Sequence, residues 1–330
     1  MSTPSIHIAF LRGLTQHAVA LGLELPALLA RHRIPARLLA EDEARISIPQ
    51  FADIAVSLIR HSGDESLGHI PGGIPPGSWQ MMGHATITAP TVAECLSRHI
   101  TFYQLVNPAI SGRIQAVDKL VSIELDWRGR DGSFFCESWF FTLHRYLSWF
   151  AGQRLPIHGV ALPDSMTGPA DNAAKLFPGA LVPTEQRHAA LTLPAAVLEL
   201  PGQRPPEQLA RFMRHPILTM LTERQSDGWS AKVRSVLRGH LEAMPELTEV
   251  ADLLDVHPQT LRRRLAGEGT SFTELKVSIR RDIALHYLGK PGHSIEQIAY
   301  RAGFSEASAF TRAFKSWTGV TPYAYRKGLS

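Results

Sequence analysis

The sequence is poor in the residues that build disulfide frameworks and cysteine-based metal sites. It has only two cysteines, Cys95 and Cys136, in 330 residues, which is too few for either. The usual burial of free cysteine predicts two buried thiols. The fifteen histidines show no H-E-x-x-H or comparable ligand spacing. We therefore expect no metal site and no cofactor.

Long hydrophobic runs are missing too. The longest stretch without Asp, Glu, Lys or Arg, residues 66–93, is interrupted by "PGGIPPG" and cannot form a membrane-spanning helix. The opening "MSTPSIHIAFLRG" has no basic stretch ahead of an apolar run and no small-residue cleavage site, so we expect no secretory signal. These absences favour a cytoplasmic protein with no membrane partner.

Common enzyme motifs are absent as well. No G-x-G-x-x-G follows a predicted strand, and neither a P-loop nor G-x-S-x-G occurs. We therefore predict that the protein is not an enzyme and has no catalytic residues. A fused catalytic domain is the rival interpretation, and turnover of a metabolite by residues 1–205 would support it.

Charge separates the end of the chain from the rest. Residues 1–225 hold 19 basic and 19 acidic side chains, whereas residues 257–330 hold 12 basic and 5 acidic ones. A basic segment attached to a neutral one suggests an anionic partner, most commonly nucleic acid. The alternative is an ordinary solvated helical face.

Two amphipathic segments meet at Gly303, which can supply the left-handed residue that ends a helix. The first segment has a stripe at i, i+3, i+4 and i+7: Ile295, Ile298, Ala299 and Ala302. Ser305 is the predicted N-cap of the second segment, whose buried side carries Phe310, Phe314 and Trp317. Its other side is small and polar: Ala307, Ser308, Thr311 and Arg312. This layout predicts a helix-turn-helix.

A second unit of this kind is predicted over residues 247–265. Thr248 is its predicted first N-cap, Asp255 lies at the corner, and Pro258 suits the first turn of the following helix. The outward side chains are Gln259, Arg262 and Arg263, which can pair with adenine and guanine in the major groove. The run "RRR" alone is equally typical of a solvated surface, but two such units in tandem favour base reading.

A long helix is predicted between the two units, over residues 271–291. Ser271 and Glu274 form a capping box, while Gly289 and Pro291 form a stop signal. Such a helix is about 25 Å long. We expect it to hold the two reading helices near one turn of duplex apart, about 34 Å.

Residues 230–330 resemble the DNA-binding domain of AraC/XylS-family transcription regulators. The resemblance rests on "IEQIAYRAGFSEASAFTRAFKSWTGVTPYAYR" and "EVADLLDVHPQTLRRRL". It implies a seven-helix domain with base contacts from both reading helices. It also implies an activator whose partners are double-stranded promoter DNA and RNA polymerase. Asp255 departs from the glycine that is common at this corner, and His257 from a common serine cap. We expect Asp255 to tolerate the turn; His257 is either a weak cap or a phosphate contact.

Residues 1–205 are predicted to form an α/β sensor domain, followed by a linker at 206–225 and an all-α domain at 226–330. Amphipathic patterns near 5–21, 48–61, 91–105 and 133–150 predict helices. "ISGRIQA", "LVSIELDW" and "AALTLP" predict strands. On "GDESLGHI" and "GSWQMMGHATITAPTVAECLSRHITFYQLVNP", the region resembles the arabinose-binding-domain type found in regulators related to the ornithine-utilisation regulator.

Aromatic and polar residues in this domain are typical of a small-molecule pocket, and equally of an ordinary core. The candidate effector-binding residues are Trp79, His99, Tyr103, Trp139 and Arg145. Arg145 would suit an acidic effector. We expect a homodimer controlled by a small-molecule effector; the alternative is a ligand-independent regulator whose N-terminal domain only dimerises.

Overall fold

The fold is described from a computed structural model. It covers residues 5–127, 133–162, 176–177, 180–182, 188–222, 228–241, 244–268, 270–290 and 292–327. The chain divides into two compact units. Unit 1 comprises Met1–Arg12, Glu24–Ile54 and Ser226–Ser330, and unit 2 comprises Gly13–Leu23 and Ala55–Gln225.

Helices dominate the described residues. They are α1 (Ile8–Thr15), α2 (Leu25–Arg31), α3 (Ile48–Ser62), α4 (Ser78–Thr86), α5 (Val92–Val106), α6 (Ser133–Phe150), α7 (Pro206–Met213), α8 (Pro216–Thr222), α9 (Trp229–Gly239), α10 (Leu247–Leu253), α11 (Pro258–Gly267), α12 (Phe272–Leu288), α13 (Ile295–Arg301), α14 (Ala307–Thr318) and α15 (Pro322–Lys327). The strands are β1 (Ser5–His7), β2 (Arg45–Ser47), β3 (Ile110–Val117), β4 (Leu120–Trp127), β5 (Gly159–Ala161), β6 (Leu181–Val182) and β7 (Ala189–Pro194). An α/β N-terminal part and a helical C-terminal part are therefore confirmed.

Unit 2 is built on a five-stranded sheet in the order β3-β4-β7-β5-β6. The three predicted strands are confirmed: β3 pairs antiparallel with β4, and β4 pairs antiparallel with β7. A 3-10 turn, Ala195–Glu199, follows β7. Helix α5 lies close to β3 at Gly112, where a Cβ atom would come within 2.8 Å of Ile100 Cγ2.

The region predicted as a linker, 206–225, contains helices α7 and α8. Their apolar side chains Leu209, Phe212 and Met220 are buried in the hydrophobic core of unit 2. Residues 1–12 and 24–54 belong to unit 1, together with the C-terminal helices. The division into two units therefore differs from the predicted domain boundaries, which remain a prediction.

The N-terminal residues differ from the single helix predicted near 5–21. Residues Ser5–His7 form strand β1, which pairs antiparallel with β2, and only Ile8–Thr15 is α-helical. The alternation of polar Ser5 and His7 with Ile6 fits a strand as well as a helical turn over so short a stretch. The pairing with β2 decides between the two.

Both predicted helix-turn-helix units are present, and the first turns at Asp255. Its φ of 53° lies in the left-handed region. The Asp255 N–H donates to the Asp252 carbonyl and the Val256 N–H to the Ala251 carbonyl, both at 3.0 Å. These two bonds form a Schellman motif, the common glycine-type end of a helix. The prediction that Asp255 tolerates this corner is confirmed.

The second unit turns in the same way at Gly303, whose φ is 78°. Its N–H donates to the Tyr300 carbonyl at 2.9 Å, and the Phe304 N–H donates to the Ala299 carbonyl at 3.0 Å. The two corners therefore have the same backbone hydrogen-bond pattern, although only one of them has glycine.

Two predicted N-caps are wrong by one or two residues. Helix α10 is capped by Glu246, which forms a reciprocal capping box with Glu249, rather than by Thr248. Helix α14 begins after Glu306, which makes no side-chain cap bond, rather than after Ser305. Several side chains near each helix start can accept from free N–H groups, and sequence alone does not choose among them.

Helix α12 is the predicted long helix, and its capping box is confirmed. Lys276 Nζ lies 2.5 Å from Glu246 Oε1, the cap of α10. One turn later, Arg280 Nη2 donates to the Gly303 carbonyl at 3.0 Å, and its guanidinium lies 4.9 Å from the centroid of the Phe304 ring. Helix α12 thus touches the start of the first unit and the corner of the second.

Replacing Phe310 by alanine tests the core of the second unit. The ring is fully buried and lies 5.6 Å from Phe304 and 5.7 Å from Phe314, measured between ring centroids. Loss of a buried aromatic ring should lower the free energy of unfolding by about 3–5 kcal/mol. Denaturant unfolding measures the change, with exposed Tyr323→Ala as the matched aromatic control. Equal midpoints for the two variants would contradict a core role for Phe310.

Candidate nucleic-acid interface

Helix α11 presents the first set of predicted DNA contacts. Gln259, Arg262 and Arg263 are exposed, while Leu261 and Leu265 are fully buried on the opposite side. Arg262 Nη1 donates to Gln259 Oε1 at 3.3 Å, which holds the two polar heads together. The structure therefore places all three predicted residues on one solvent-facing surface.

His257 caps this helix. Its Nδ1 accepts a hydrogen bond from the Gln259 backbone N–H at 3.3 Å. With Nδ1 used as the acceptor, Nε2 is the ring nitrogen that faces other partners. The cap bond is long, which agrees with the expectation of a weak cap, and Nε2 keeps its capacity as a donor.

The three arginines of "RRR" do not act alike. Arg264 lies over the Trp229 ring of α9, with its Cζ 4.0 Å from the ring centroid. In the same region the Glu268 carboxylate accepts from the N–H groups of Trp229 and Ser230, at 2.6 and 2.9 Å. These contacts fix α11 against α9 and orient the exposed arginines. Sequence reasoning missed them, because the partners lie about 35 residues apart.

Helix α14 presents the second set of predicted contacts. Ser308 and Arg312 are exposed, and Ala307 and Thr311 are half-buried beside them. The Thr311 hydroxyl donates to the Ala307 carbonyl at 2.8 Å, and the Ser308 hydroxyl donates to Glu306 Oε2 at 3.0 Å. With both hydroxyl donors engaged, Arg312 is the strongest donor on this surface.

Four of the five predicted effector residues come together in unit 2. The ring centroid of His99 lies 5.0 Å from that of Tyr103 and 5.5 Å from that of Trp139. Tyr146 joins the group, with its centroid 6.5 Å from His99 and 5.8 Å from Trp79. We call these five residues the aromatic cluster.

Arg145, the fifth predicted effector residue, points elsewhere. Its guanidinium carbon lies 5.3 Å from the centroid of the Phe141 ring. Its neighbour along the helix, Tyr146, is the member of the cluster that sequence reasoning missed. Adjacent residues on a helix point about 100° apart, so Arg145 and Tyr146 face different neighbours.

The aromatic cluster has unmet hydrogen-bonding capacity. Burial lowers the pKa of His99 to about 3, so its ring is neutral. Among the described residues, neither ring nitrogen of His99 has a hydrogen-bond partner, and the indole nitrogens of Trp79 and Trp139 have none either. Buried polar atoms of this kind are normally paired with protein, water or a ligand.

Tyr146 connects this cluster to α7. Its hydroxyl lies 2.6 Å from Thr86 Oγ1. Its ring lies 5.8 Å from Trp149, which stacks on Phe212 of α7 at 4.3 Å between centroids. The cluster is therefore continuous with the last helices of unit 2.

Two family models match the chain. The model described as the arabinose-binding domain of AraC transcription regulator, N-terminal, covers residues 22–202, more than half of the sequence. The model described as a helix-turn-helix domain covers residues 250–328. In addition, none of the described helices is long and apolar enough to cross a membrane.

Similar proteins are transcription regulators by name. An uncharacterized HTH-type transcriptional regulator of Mycobacterium bovis is 43% identical over 111 residues, which is 34% of this chain and 32% of the relative. The chain thus matches about a third of that relative's length. The ornithine utilization regulator of Pseudomonas aeruginosa is 23% identical over 98% of this chain and 96% of its own. The urease operon transcriptional activator of Escherichia coli is 40% identical over 24% of this chain and 27% of its own.

The two matched regions correspond to the α/β part and to the paired helix-turn-helix units on α12. On this combination, the chain belongs to the AraC family of DNA-binding transcription regulators.

Proposed function

We propose that the protein is a sequence-specific activator of transcription whose DNA binding is controlled by a small-molecule effector held in unit 2. The observation that carries the DNA-binding part is the pair of motifs that both contact α12 and have equivalent corners, each followed by a helix with an exposed polar surface. The name of the urease operon relative supports activation, rather than repression, of transcription.

The proposed DNA contacts are divided between the two reading helices. On α11, Arg262 and Arg263 donate to guanine or phosphate, and Gln259 offers both a donor and an acceptor to adenine. On α14, Arg312 provides the main contact, flanked by Ala307, Ser308 and Thr311. The proposed partners also include RNA polymerase and a second copy of the chain, and the proposed location is the bacterial cytoplasm, on the nucleoid when DNA is bound.

Replacing Arg263 by alanine tests the reading role of α11. Loss of a base contact should weaken binding to the operator by about 1–3 kcal/mol and relax the preference at one base position. This corresponds to roughly 5- to 150-fold in Kd. Footprinting defines the operator, and a titration with the operator duplex and its single-base variants measures the change.

The matched control is Arg60→Ala, which removes one exposed arginine from unit 2. We expect it to bind the operator as the unchanged protein does. Unaltered binding and base preference in the Arg263 variant would remove this residue from the interface.

Replacing Trp139 by phenylalanine tests the aromatic cluster as the effector site. The change keeps an aromatic ring in place but removes an indole N–H that has no partner among the described residues. We expect the fold to persist and the effector response to weaken. Promoter activity across a panel of growth substrates, in cells with either protein, measures the response.

Two outcomes separate the alternatives. A full response in the Trp139 variant would place the effector elsewhere. If promoter activity with the unchanged protein is the same on every growth substrate, the result would favour the ligand-independent regulator, in which unit 2 only dimerises. The mass of the protein in solution then tests the dimer directly.

A further inference from the structure

Part of the N-terminus belongs to the unit that carries the helix-turn-helix motifs. Residues 5–12 and 24–54, here called the N-terminal segment, group with residues 226–330 in unit 1. The two-stranded sheet of β1 and β2 contacts α12, the helix that holds both DNA-reading units. The segment is therefore adjacent to the DNA-binding machinery.

A buried carboxyl group fastens the segment to α12. Asp282, in the middle of α12, is only 3% exposed. Burial raises its pKa, while the positive charge of Arg281, a hydrogen bond from Ser5, and the charges of Arg45 and Arg234 act in the opposite direction. Arg45 in turn donates to the Ser5 hydroxyl at 3.1 Å and to the Ser5 carbonyl at 2.9 Å. A buried carboxylate is tolerated when paired in this way, and removing its partners is costly.

The segment carries an acidic turn, Glu41-Asp42-Glu43, between a 3-10 helix (Ala36–Ala40) and β2. Arg12 holds the turn in place, donating to the Leu39 carbonyl at 2.7 Å and to Asp42 Oδ1 at 3.0 Å. The Ala44 N–H donates to the Glu41 carbonyl at 3.2 Å. These bonds hold the backbone of the turn and the Asp42 carboxylate in place.

This turn faces the second reading helix across a groove of about 550 Å³. One wall is the acidic turn, and the other is a stripe formed by Arg312, Lys315 and Ser316 of α14 and by Gly319, the residue after that helix. At Gly319 the approach is close, since a Cβ atom there would lie 2.7 Å from Glu41 Oε2. Gly319 also has a φ of 76°, so both its conformation and this contact favour glycine.

Charge gives this groove a consequence for DNA binding. Arg312 lies on the surface proposed to contact DNA and also on the stripe that faces the turn. Charges interact appreciably within a Debye length, about 10 Å at 0.1 M salt. The three carboxylates therefore attract the same cations that a DNA phosphate would approach, and they repel that phosphate.

We propose that Glu41, Asp42 and Glu43 form an acidic wall of the DNA-binding surface, which competes with DNA phosphates for Arg312 and Lys315 and so lowers the affinity of α14 for DNA. The N-terminal segment thereby sets the strength of binding at the second reading helix. This inference rests on the proposed contact of Arg312 with DNA.

The test is the full-length triple variant Glu41→Gln, Asp42→Asn, Glu43→Gln, which keeps side-chain size and removes three negative charges. We expect it to bind a duplex carrying the footprinted operator about tenfold more tightly at 0.1 M salt, with the gain shrinking toward 0.5 M as screening increases. Titrations at several salt concentrations measure both effects, and circular dichroism confirms the fold.

A matched control separates the groove from net charge. The control variant also removes three negative charges, but from exposed positions of unit 2: Asp118→Asn, Glu199→Gln, Glu207→Gln. We expect no comparable gain. Equal affinities for the acidic-turn variant and the unchanged protein, or an equal gain in the control, would overturn the inference.

The Arg312→Ala variant distinguishes failure of this inference from failure of the proposed interface. Weaker operator binding by Arg312→Ala together with no effect of the acidic-turn variant would refute only the acidic wall. No effect of Arg312→Ala would refute the proposed contact itself. If both hold, combining the acidic-turn variant with Arg312→Ala and Lys315→Ala should reduce the tenfold gain.

Discussion

The fastening of both DNA-reading units to α12 is the constraint on which the rest of unit 1 depends. Lys276 and Arg280 are one helical turn apart, and they reach the cap of α10 and the corner before α14. Because a helix is stiff over this length, the two contacts fix both motifs relative to one rod. Successive major grooves on one face of a duplex lie about 34 Å apart, so two readers on one protomer can use them together only if their separation is fixed.

The same helix explains why unit 1 is discontinuous in sequence. Asp282 lies on α12 between the two motifs and is buried, so it requires polar partners that α12 alone does not provide. Arg45 and Ser5 of the N-terminal segment supply part of that requirement. The identity of these partners was not accessible from sequence, because residues more than 230 positions apart leave no periodic signal.

Local rules predicted much of unit 1. Gly303 and Asp255 marked the corners, because the left-handed conformation restricts the residues that occupy it. The spacing of Phe310 and Phe314 marked the buried side of α14. The predicted N-caps Thr248 and Ser305 were wrong because competing acceptors lie one or two residues away. The contact of Arg264 with Trp229 was not predicted because the two residues are remote in sequence. Local chemistry thus fixes the elements and their exposed sides, whereas the orientation of each reading helix depends on distant contacts.

In unit 2 as well, sequence alone predicted a group of residues but not the direction in which each side chain points. Composition identified Trp79, His99, Tyr103 and Trp139 as a group, and the structure places the rings of Tyr103, Trp139 and Tyr146 around His99, with Trp79 beside Tyr146. Composition alone could not show that Tyr146, rather than its neighbour Arg145, belongs to this cluster. An effector changes output only if it binds one arrangement of the protein more tightly than another. Phe212 of α7 stacks on Trp149, which lies beside Tyr146, so the aromatic cluster is packed against α7. A ligand bound in the proposed effector site would therefore contact a group of rings that extends into α7.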